Sequence, residues 1–293
     1  MVRYPRVILP FVLVGLWEGL GPSTRPEPGL NVCTIPLTQV LRIPVSTLGT
    51  PETQGSVKAA AATLMVSPGA TDELNEGPTG FDVLDDGGVL ITDPLRKNVS
   101  HFDSHGGFRK AWRIGFSADS LTVTSTGAVL VREASTGKLY AFDRDGQARS
   151  VEDIKEPEEA EARVVDGQNG TVKRPALDGG QAGPLVVQLN KPDMTLLSLV
   201  SLLTDQKGDT YVALETTARG RAADAIDVNK YVRRYSSSGK LLCEITDIPL
   251  DYYVPPVDEL RVRQGRVYQL QTTSSEVRIN MWDTNQLCAH SSP

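Results

Sequence analysis

The stretch "GGVLITDPLRKNVSHFDSHGGF", Gly87–Phe108, contains two apolar runs joined by a turn-rich spacer and followed by an Asp and a Gly pair. The same order recurs in "GAVLVREASTGKLYAFDRDGQ", Gly127–Gln147. Its anchors follow those of the first stretch at a spacing of about 40 residues. Phe102 corresponds to Phe142, and Gly106 to Gly146. The opening stretch is therefore one copy of a repeat.

Two further copies extend the series. One is "GDTYVALETT", Gly208–Thr217, which continues after an insertion in "NKYVRRYSSSGKLL", Asn229–Leu242. The other is "GRVYQLQTTSSEVRINMWD", Gly265–Asp283. Short strands in fours at this spacing are typical of β-propeller blades. We predict an all-β fold, a β-propeller of four-stranded antiparallel blades with six blades, with five or seven left open. Residues 162–199 have no matching anchors and are interpreted as a divergent blade.

Side-chain alternation agrees with strands. In the last copy Val277, Ile279 and Met281 share one face, and the intervening residues share the other. An aromatic residue ends one strand of each copy, and we interpret it as packing between blades. These aromatics are Phe102, Phe142, Tyr235 and Trp282.

The N-terminus reads as an export signal. Arg3 and Arg6 precede the apolar run Val7–Trp17, which is shorter than the about 20 residues that span a bilayer. We expect residues 1–23 to be a signal or weak anchor of an exported protein, periplasmic, envelope-bound or secreted. A buried N-terminal element interrupted by Pro10 is the alternative.

The rest of the chain divides into two parts. Residues 24–72 are expected to supply a closing strand, Thr38–Val45, beside the strand that ends at Asp283. We expect residues 73–293 to form the propeller. No transmembrane span is expected in the mature chain. The closing strand would remove the open edge of the last sheet.

The three cysteines are Cys33, Cys243 and Cys288, and none lies at metal-ligand spacing. In an exported protein, a disulfide between Cys33 and Cys288 would join the ends of the mature chain. We state this pairing as a hypothesis from their positions.

The charge pattern excludes one class of partner. The formal net charge is −6, and Lys and Arg are scattered rather than concentrated on one stretch. A nucleic-acid partner is not expected, because phosphate binding needs a concentrated basic face. The insertion in the third copy forms a candidate binding rim, with ordinary surface charge as the alternative. Its charged residues are Arg219, Arg221, Asp224 and Asp227.

The first copy resembles the NHL-type repeat of six-bladed propellers. The residues that carry the likeness are Asp93, Lys97, Asn98, Val99, Phe102, Asp103 and Gly106. The other copies depart from it, and the resemblance covers only one blade well. It implies a fold and does not imply a function.

A second, weaker resemblance concerns "NEGPTGFDVL", Asn75–Leu84. It is similar to the first blade of calcium-dependent lactonase propellers, in which the Glu helps to bind the metal, and Glu76 is the match. The Trp of that family is replaced by Thr79 and Gly80. The resemblance implies a calcium site at Glu76, whereas the simpler interpretation makes Glu76 a loop residue. No other cofactor is expected.

Catalytic signatures are missing from the sequence. It contains neither a GxSxG elbow nor an HExxH helix. We identify no catalytic residue and predict a binding or scaffolding module for a protein, glycan or small ligand at a rim or channel. The alternative is a calcium-dependent, lactonase-like hydrolase.

Overall fold

The computed structural model describes residues 33–47, 63–70, 73–151, 161–175, 183–189, 191–219 and 226–286. The chain divides into two compact units, Met1–Asn31 and Val32–Pro293, and every described residue belongs to the second. The expected signal, residues 1–23, lies outside the described residues. Among these residues no helix is both long and apolar enough to cross a membrane.

The prediction of an all-β fold is confirmed, since every regular element in the described ranges is a strand. The strands are β1 Cys33–Thr34, β2 Gln39–Thr47, β3 Leu64–Val66, β4 Phe81–Val83, β5 Val89–Asp93, β6 Asn98–Phe102, β7 Phe108–Arg113, β8 Ala118–Val123, β9 Val129–Glu133, β10 Leu139–Phe142, β11 Ala148–Arg149, β12 Ala162–Asp166, β13 Asn169–Val172, β14 Leu185–Gln188, β15 Met194–Thr204, β16 Thr210–Arg219, β17 Ile226–Tyr235, β18 Leu241–Ile245, β19 Leu260–Arg263, β20 Arg266–Thr272 and β21 Glu276–Asp283.

These strands form five sheets. Sheet I contains β4 to β7, sheet II β8 to β11, and sheet III β12 to β14. Sheet IV contains β15 to β18 with β1 at its edge, and sheet V contains β19 to β21 followed by β2 and β3. The divergent segment supplies sheet III and also the first strand of sheet IV. The expected number of six blades stays a prediction.

The N-terminal strand β2 lies antiparallel to β21, with Leu41 opposite Ile279 and Ile43 opposite Val277. This is the pairing that the sequence predicts for Thr38–Val45. Leu41 and Ile43 are buried in the core between sheets I and V. The last sheet is thus completed by a strand from the other end of the chain.

Four apolar clusters fill the spaces between neighbouring sheets, and each contains one repeat aromatic. Phe102 packs between sheets I and V, and Phe142 between sheets I and II. Tyr235 packs between sheets III and IV, and Trp282 between sheets IV and V. All four are buried, which confirms their predicted packing role.

The Asp and Gly of the repeat form a tight turn. The Asp103 carboxylate accepts hydrogen bonds from the backbone N–H of His105 and Gly107, at 2.9 and 2.8 Å. Gly106 has a φ of 84°, a backbone conformation that residues other than Gly rarely adopt. These hydrogen bonds hold the pKa of Asp103 below its usual value, despite a small opposing effect of burial.

The free edge of sheet II is satisfied by side chains rather than by another strand. β8 ends this sheet, and the N–H groups of Leu121 and Val123 donate to carboxylates at 2.9 and 2.6 Å. The carbonyl groups of the same two residues accept from arginines. The two acid–arginine pairs are Asp258–Arg261 and Asp82–Arg263. Charged side chains of this kind protect an edge from pairing with another chain.

Candidate functional site

A cavity of about 280 Å³ lies between sheets IV and V. We call it the charged cleft, because acidic and basic side chains converge on it beside aliphatic ones. Its lining residues are Ser198, Val200, Leu202, Ala213, Glu215, Lys230, Val257, Asp258, Glu259, Leu260 and Arg261.

Strand register places two charged residues at the boundary of the core. Glu215 on β16 lies directly opposite Lys230 on β17. Towards one end of this sheet face, Tyr211 is buried in the core against sheet V. Towards the other, Thr217 lies opposite Val228, which is 47% exposed. Because alternate residues of a strand share a face, this face passes from buried side chains, through the charged pair, to the exposed Val228.

Lys230 is held by two carboxylates. Its Nζ lies 2.8 Å from Glu215 Oε1 and also forms an ion pair with Glu259 Oε2, while only 10% of its side chain is exposed. Burial alone lowers the pKa of Lys230, but the hydrogen bonds and charges of Glu215 and Glu259 outweigh it and raise the pKa above its ordinary value. Lys230 therefore stays charged at neutral pH and is no general base or nucleophile.

Tyr252 and Gln269 hold one carboxylate oxygen of Glu259 in place. Tyr252 donates its hydroxyl hydrogen to Glu259 Oε1, and Gln269 Nε2 lies 2.7 Å from the Tyr252 hydroxyl and 3.3 Å from the same carboxylate oxygen. Burial, followed by the hydrogen bond to Glu259 and its charge, raises the pKa of Tyr252. Tyr252 is thus a permanent donor, which leaves the second oxygen of Glu259 for Lys230.

Buried amides connect this arrangement to sheet V. Asn280 Nδ2 donates to the side-chain oxygens of Gln269 and Gln271, at 3.0 and 3.2 Å. Gln271 donates in turn to Asp251 Oδ1 at 2.7 Å. All three amide side chains are buried. A buried polar network with its partners in place favours one arrangement, so it fixes the loop 246–259 that carries Glu259.

The cleft has an excess of negative charge. Its lining contains three carboxylates, Asp258, Glu259 and Glu215, against two cations, Lys230 and Arg261. The loop 246–259 contains four acidic residues and neither Lys nor Arg. Glu215 has the most accessible carboxylate of the Lys230 ion pairs, with 36% of its side chain exposed. A cationic group is therefore the charge that this cleft attracts.

A smaller cavity, of about 190 Å³, lies between sheets I and V. Its two arginines are already engaged, since Arg263 pairs with Asp82 and Arg266 pairs with Asp283. We therefore regard the charged cleft as the better candidate site.

The predicted rim belongs to the same hairpin as the cleft. Arg219 ends β16 opposite Ile226, and the exposed Asp227 lies opposite Ala218. Arg221 and Asp224 lie outside the described residues. The binding role of the rim stays a prediction, but the body of this hairpin carries Glu215 and Lys230.

The surroundings of Glu76 do not fit the expected calcium site. Glu76 is exposed, and its backbone forms an isolated bridge with Ser67. Within the described ranges, no group of three or more His, Cys, Asp or Glu is placed to hold a metal ion. The calcium site stays a prediction without a supporting ligand set.

Two of the cysteines lie on adjacent strands of sheet IV. Cys33 on β1 lies opposite Cys243 on β18, and Cys243 is a buried free thiol. Cys288 lies outside the described residues, so the predicted pairing with Cys33 stays a prediction.

Comparisons with known proteins give no family. No protein-family model and no curated protein sequence matches the chain. Solved structures similar to it include BamB from Moraxella catarrhalis, with 11% identity and a TM-score of 0.28 over 72% of this chain and 84% of BamB. Hsv2 of Kluyveromyces lactis has 9% identity and a TM-score of 0.30 over 66% and 71% of the two chains. Virginiamycin B lyase from Staphylococcus aureus has 14% identity and a TM-score of 0.24 over 69% of each chain. Likeness at this level carries no argument about function.

Sequence reasoning missed Lys230 and Glu259. A signal for Lys230 exists, because it precedes Tyr235 by the same five residues that separate Lys97 from Phe102. Glu259 lies in a loop outside the repeat anchors, and only the folded chain brings it to Lys230.

Proposed function

We propose that the chain is an exported β-propeller of the NHL-like type that binds a segment of a protein partner in the charged cleft. The five sheets are its blades, a number that the sequence leaves open. Their consecutive antiparallel strands support this architecture, as does the completion of sheet V by β2. Export rests on the N-terminal basic and apolar pattern.

One observation carries the binding role: fixed charges lie beside exposed aliphatic side chains. Val200 and Val257 are 49% and 50% exposed. Lys230 has three N–H donors, and two carboxylates use two of them. Glu215, with 36% of its side chain exposed, offers an acceptor beside the remaining donor. An apolar surface with a few fixed polar groups is typical of a recognition site.

The chemistry of the cleft favours binding over catalysis. Lys230 stays protonated, and Tyr252 stays a neutral donor. The residues that line the cleft include neither His nor Cys, and Ser198 contributes their only hydroxyl group. A nucleophile with an adjacent base, which covalent catalysis needs, is not assembled from these lining residues.

The proposal is tested by selecting displayed random peptides on the immobilised full-length protein. Peptides of micromolar affinity are expected, and their binding should fall at least ~10-fold in the double variant Val200→Thr/Val257→Thr. These substitutions keep the shape and make the surface polar. The matched control is Val165→Thr/Val186→Thr, at two exposed positions on sheet III.

Two results would overturn the proposal. One is that no peptide is enriched over an unrelated β protein. The other is that selected peptides bind both double variants equally well, because the binding surface would then lie elsewhere.

A further inference from the structure

The edge of sheet IV that β15 forms differs from the edge of sheet II that β8 forms. β15 ends sheet IV and pairs with β16 on one side only. Near its start, the Leu196 N–H donates to the Gly167 carbonyl at 2.8 Å. From Leu197 to Leu203, the described part of the chain contributes no hydrogen bond to the other side of the strand. Alternate backbone groups along this edge therefore remain available for pairing.

The protected edge of β8 makes the unprotected edge of β15 notable. On β8, two acid–arginine pairs occupy the backbone groups of Leu121 and Val123. Native proteins protect exposed edges because such edges recruit other chains. An edge without such side chains in the same molecule is the place where an added strand meets no competitor.

The side chains along β15 also favour a partner. Leu197, Val200 and Leu203 are 51%, 49% and 37% exposed. Irregularities of register lie between Leu196 and Ser198 and between Ser201 and Leu203. Such bulges re-aim side chains and are common beside binding sites.

We infer that the partner adds an extended segment as a β-strand along Leu197–Leu203, with a Lys or Arg side chain beside Glu215. This inference rests on the proposed function and names the binding mode. Ser198, Val200 and Leu202 belong to this stretch and also line the charged cleft. A peptide on this edge therefore continues into the cleft, where the excess carboxylate charge selects a basic residue. Backbone pairing supplies affinity, and the cleft supplies specificity.

The test uses a synthetic heptapeptide in which Val occupies every second position and Lys or Thr occupies each position between. Two matched controls carry N-methyl groups at alternate amides, in the two possible phases. Alternate amides of a strand face opposite edges, so only one phase blocks pairing with β15. Binding to the full-length protein is measured by fluorescence anisotropy, and amide hydrogen exchange of Leu197–Leu203 is measured with and without peptide.

We expect one methylated phase to bind at least ~10-fold more weakly than the unmodified peptide and the other to bind about equally. Amides in Leu197–Leu203 should gain protection on binding, and Glu215→Gln should weaken binding, whereas the exposed control Glu161→Gln should not. Equal binding of the two methylated phases overturns the strand addition and leaves the proposed function intact.

The remaining outcomes also decide. Protection of these amides in the protein without peptide, whether in a monomer or in a dimer seen by light scattering, means that the chain itself covers the edge and overturns the inference. No binding of the heptapeptide at about 1 mM also overturns it. If displayed peptides still select the charged cleft, only the inference fails; if they do not, the proposed function fails as well.

Discussion

Replacing Lys230 by Met tests whether the charged cleft is held together by its central ammonium group. Met keeps an unbranched side chain of similar length and removes the charge. The carboxylates of Glu215 and Glu259 then lose their shared partner. Glu259 keeps the hydrogen bond from Tyr252, so the effect isolates the charge.

The magnitude follows from the geometry. Charges 2.8 Å apart attract by ~6 kcal/mol at an effective dielectric constant of about 20. Desolvation of the ammonium group offsets part of this attraction, and removal of one partner from a buried pair typically costs ~3–5 kcal/mol. Because 36% of the Glu215 side chain is exposed, we use the lower bound. A loss of ~3 kcal/mol corresponds to a fall in Tm of ~6–12 °C.

Scanning calorimetry at several pH values checks this prediction. In the wild type, the stabilisation by Lys230 is complete at neutral pH. The pKa of Lys230 is raised in the folded protein, so this stabilisation is lost only as the pH rises through that pKa. The difference in stability between wild type and Lys230→Met should therefore be full at pH 7 and should narrow only at alkaline pH, as Lys230 of the wild type loses its proton. Addition of Glu215→Gln and Glu259→Gln should restore most of the lost stability. A Tm within 1 °C of wild type at pH 7 would refute the reasoning.

Four further predictions follow from other parts of the fold. Gly146→Ala should destabilise the protein by more than ~2 kcal/mol, because the added methyl group overlaps the indole ring of Trp112. Gly137 has open space around it, so Gly137→Ala should cost only ~1 kcal/mol, and urea unfolding compares the two variants. Burial raises the pKa of the Cys243 thiol to about 11, so iodoacetamide at pH 8 should label Cys243 only after unfolding, and rapid labelling of the native protein would contradict this. Asp82→Asn should lower stability by ~2–4 kcal/mol through loss of the β8 edge contacts, while the exposed Asp145→Asn should leave Tm unchanged. If the calcium site predicted at Glu76 exists, Tm should rise clearly with calcium relative to chelator, and an equal Tm would contradict it.

The repeat could be predicted because its residues do local work. The aromatic that ends one strand of each copy, Phe102 in the first, fills the space between sheets, and Asp103 with Gly106 closes the turn that follows. These requirements are met within a few residues, so they recur in the sequence. The pairing of β2 with β21 was also predictable, since a closed set of sheets needs a strand to complete its last member.

The cleft could not be predicted because its residues act at long range. Lys230 lies on β17 and Glu259 lies in the loop 246–259, and no spacing in the sequence relates them. Gln269 and Asn280 look like solvated strand residues, yet both are buried and bonded to each other. Alternation indicates which residues share a face, but it does not indicate what covers that face.

Strand length explains why the cleft forms between sheets IV and V. β15 has 11 residues, whereas β19, the strand of sheet V that faces it, has only four. The surplus length carries part of sheet IV beyond the shared core, so its side chains there lack a neighbouring strand. Glu215 and Lys230 stand at this boundary, where a charged pair still reaches the loop that carries Glu259. The next pair on this face is Thr217 and Val228, and Val228 is 47% exposed. Exposed aliphatic side chains at such a boundary agree with the proposal that a partner covers this surface.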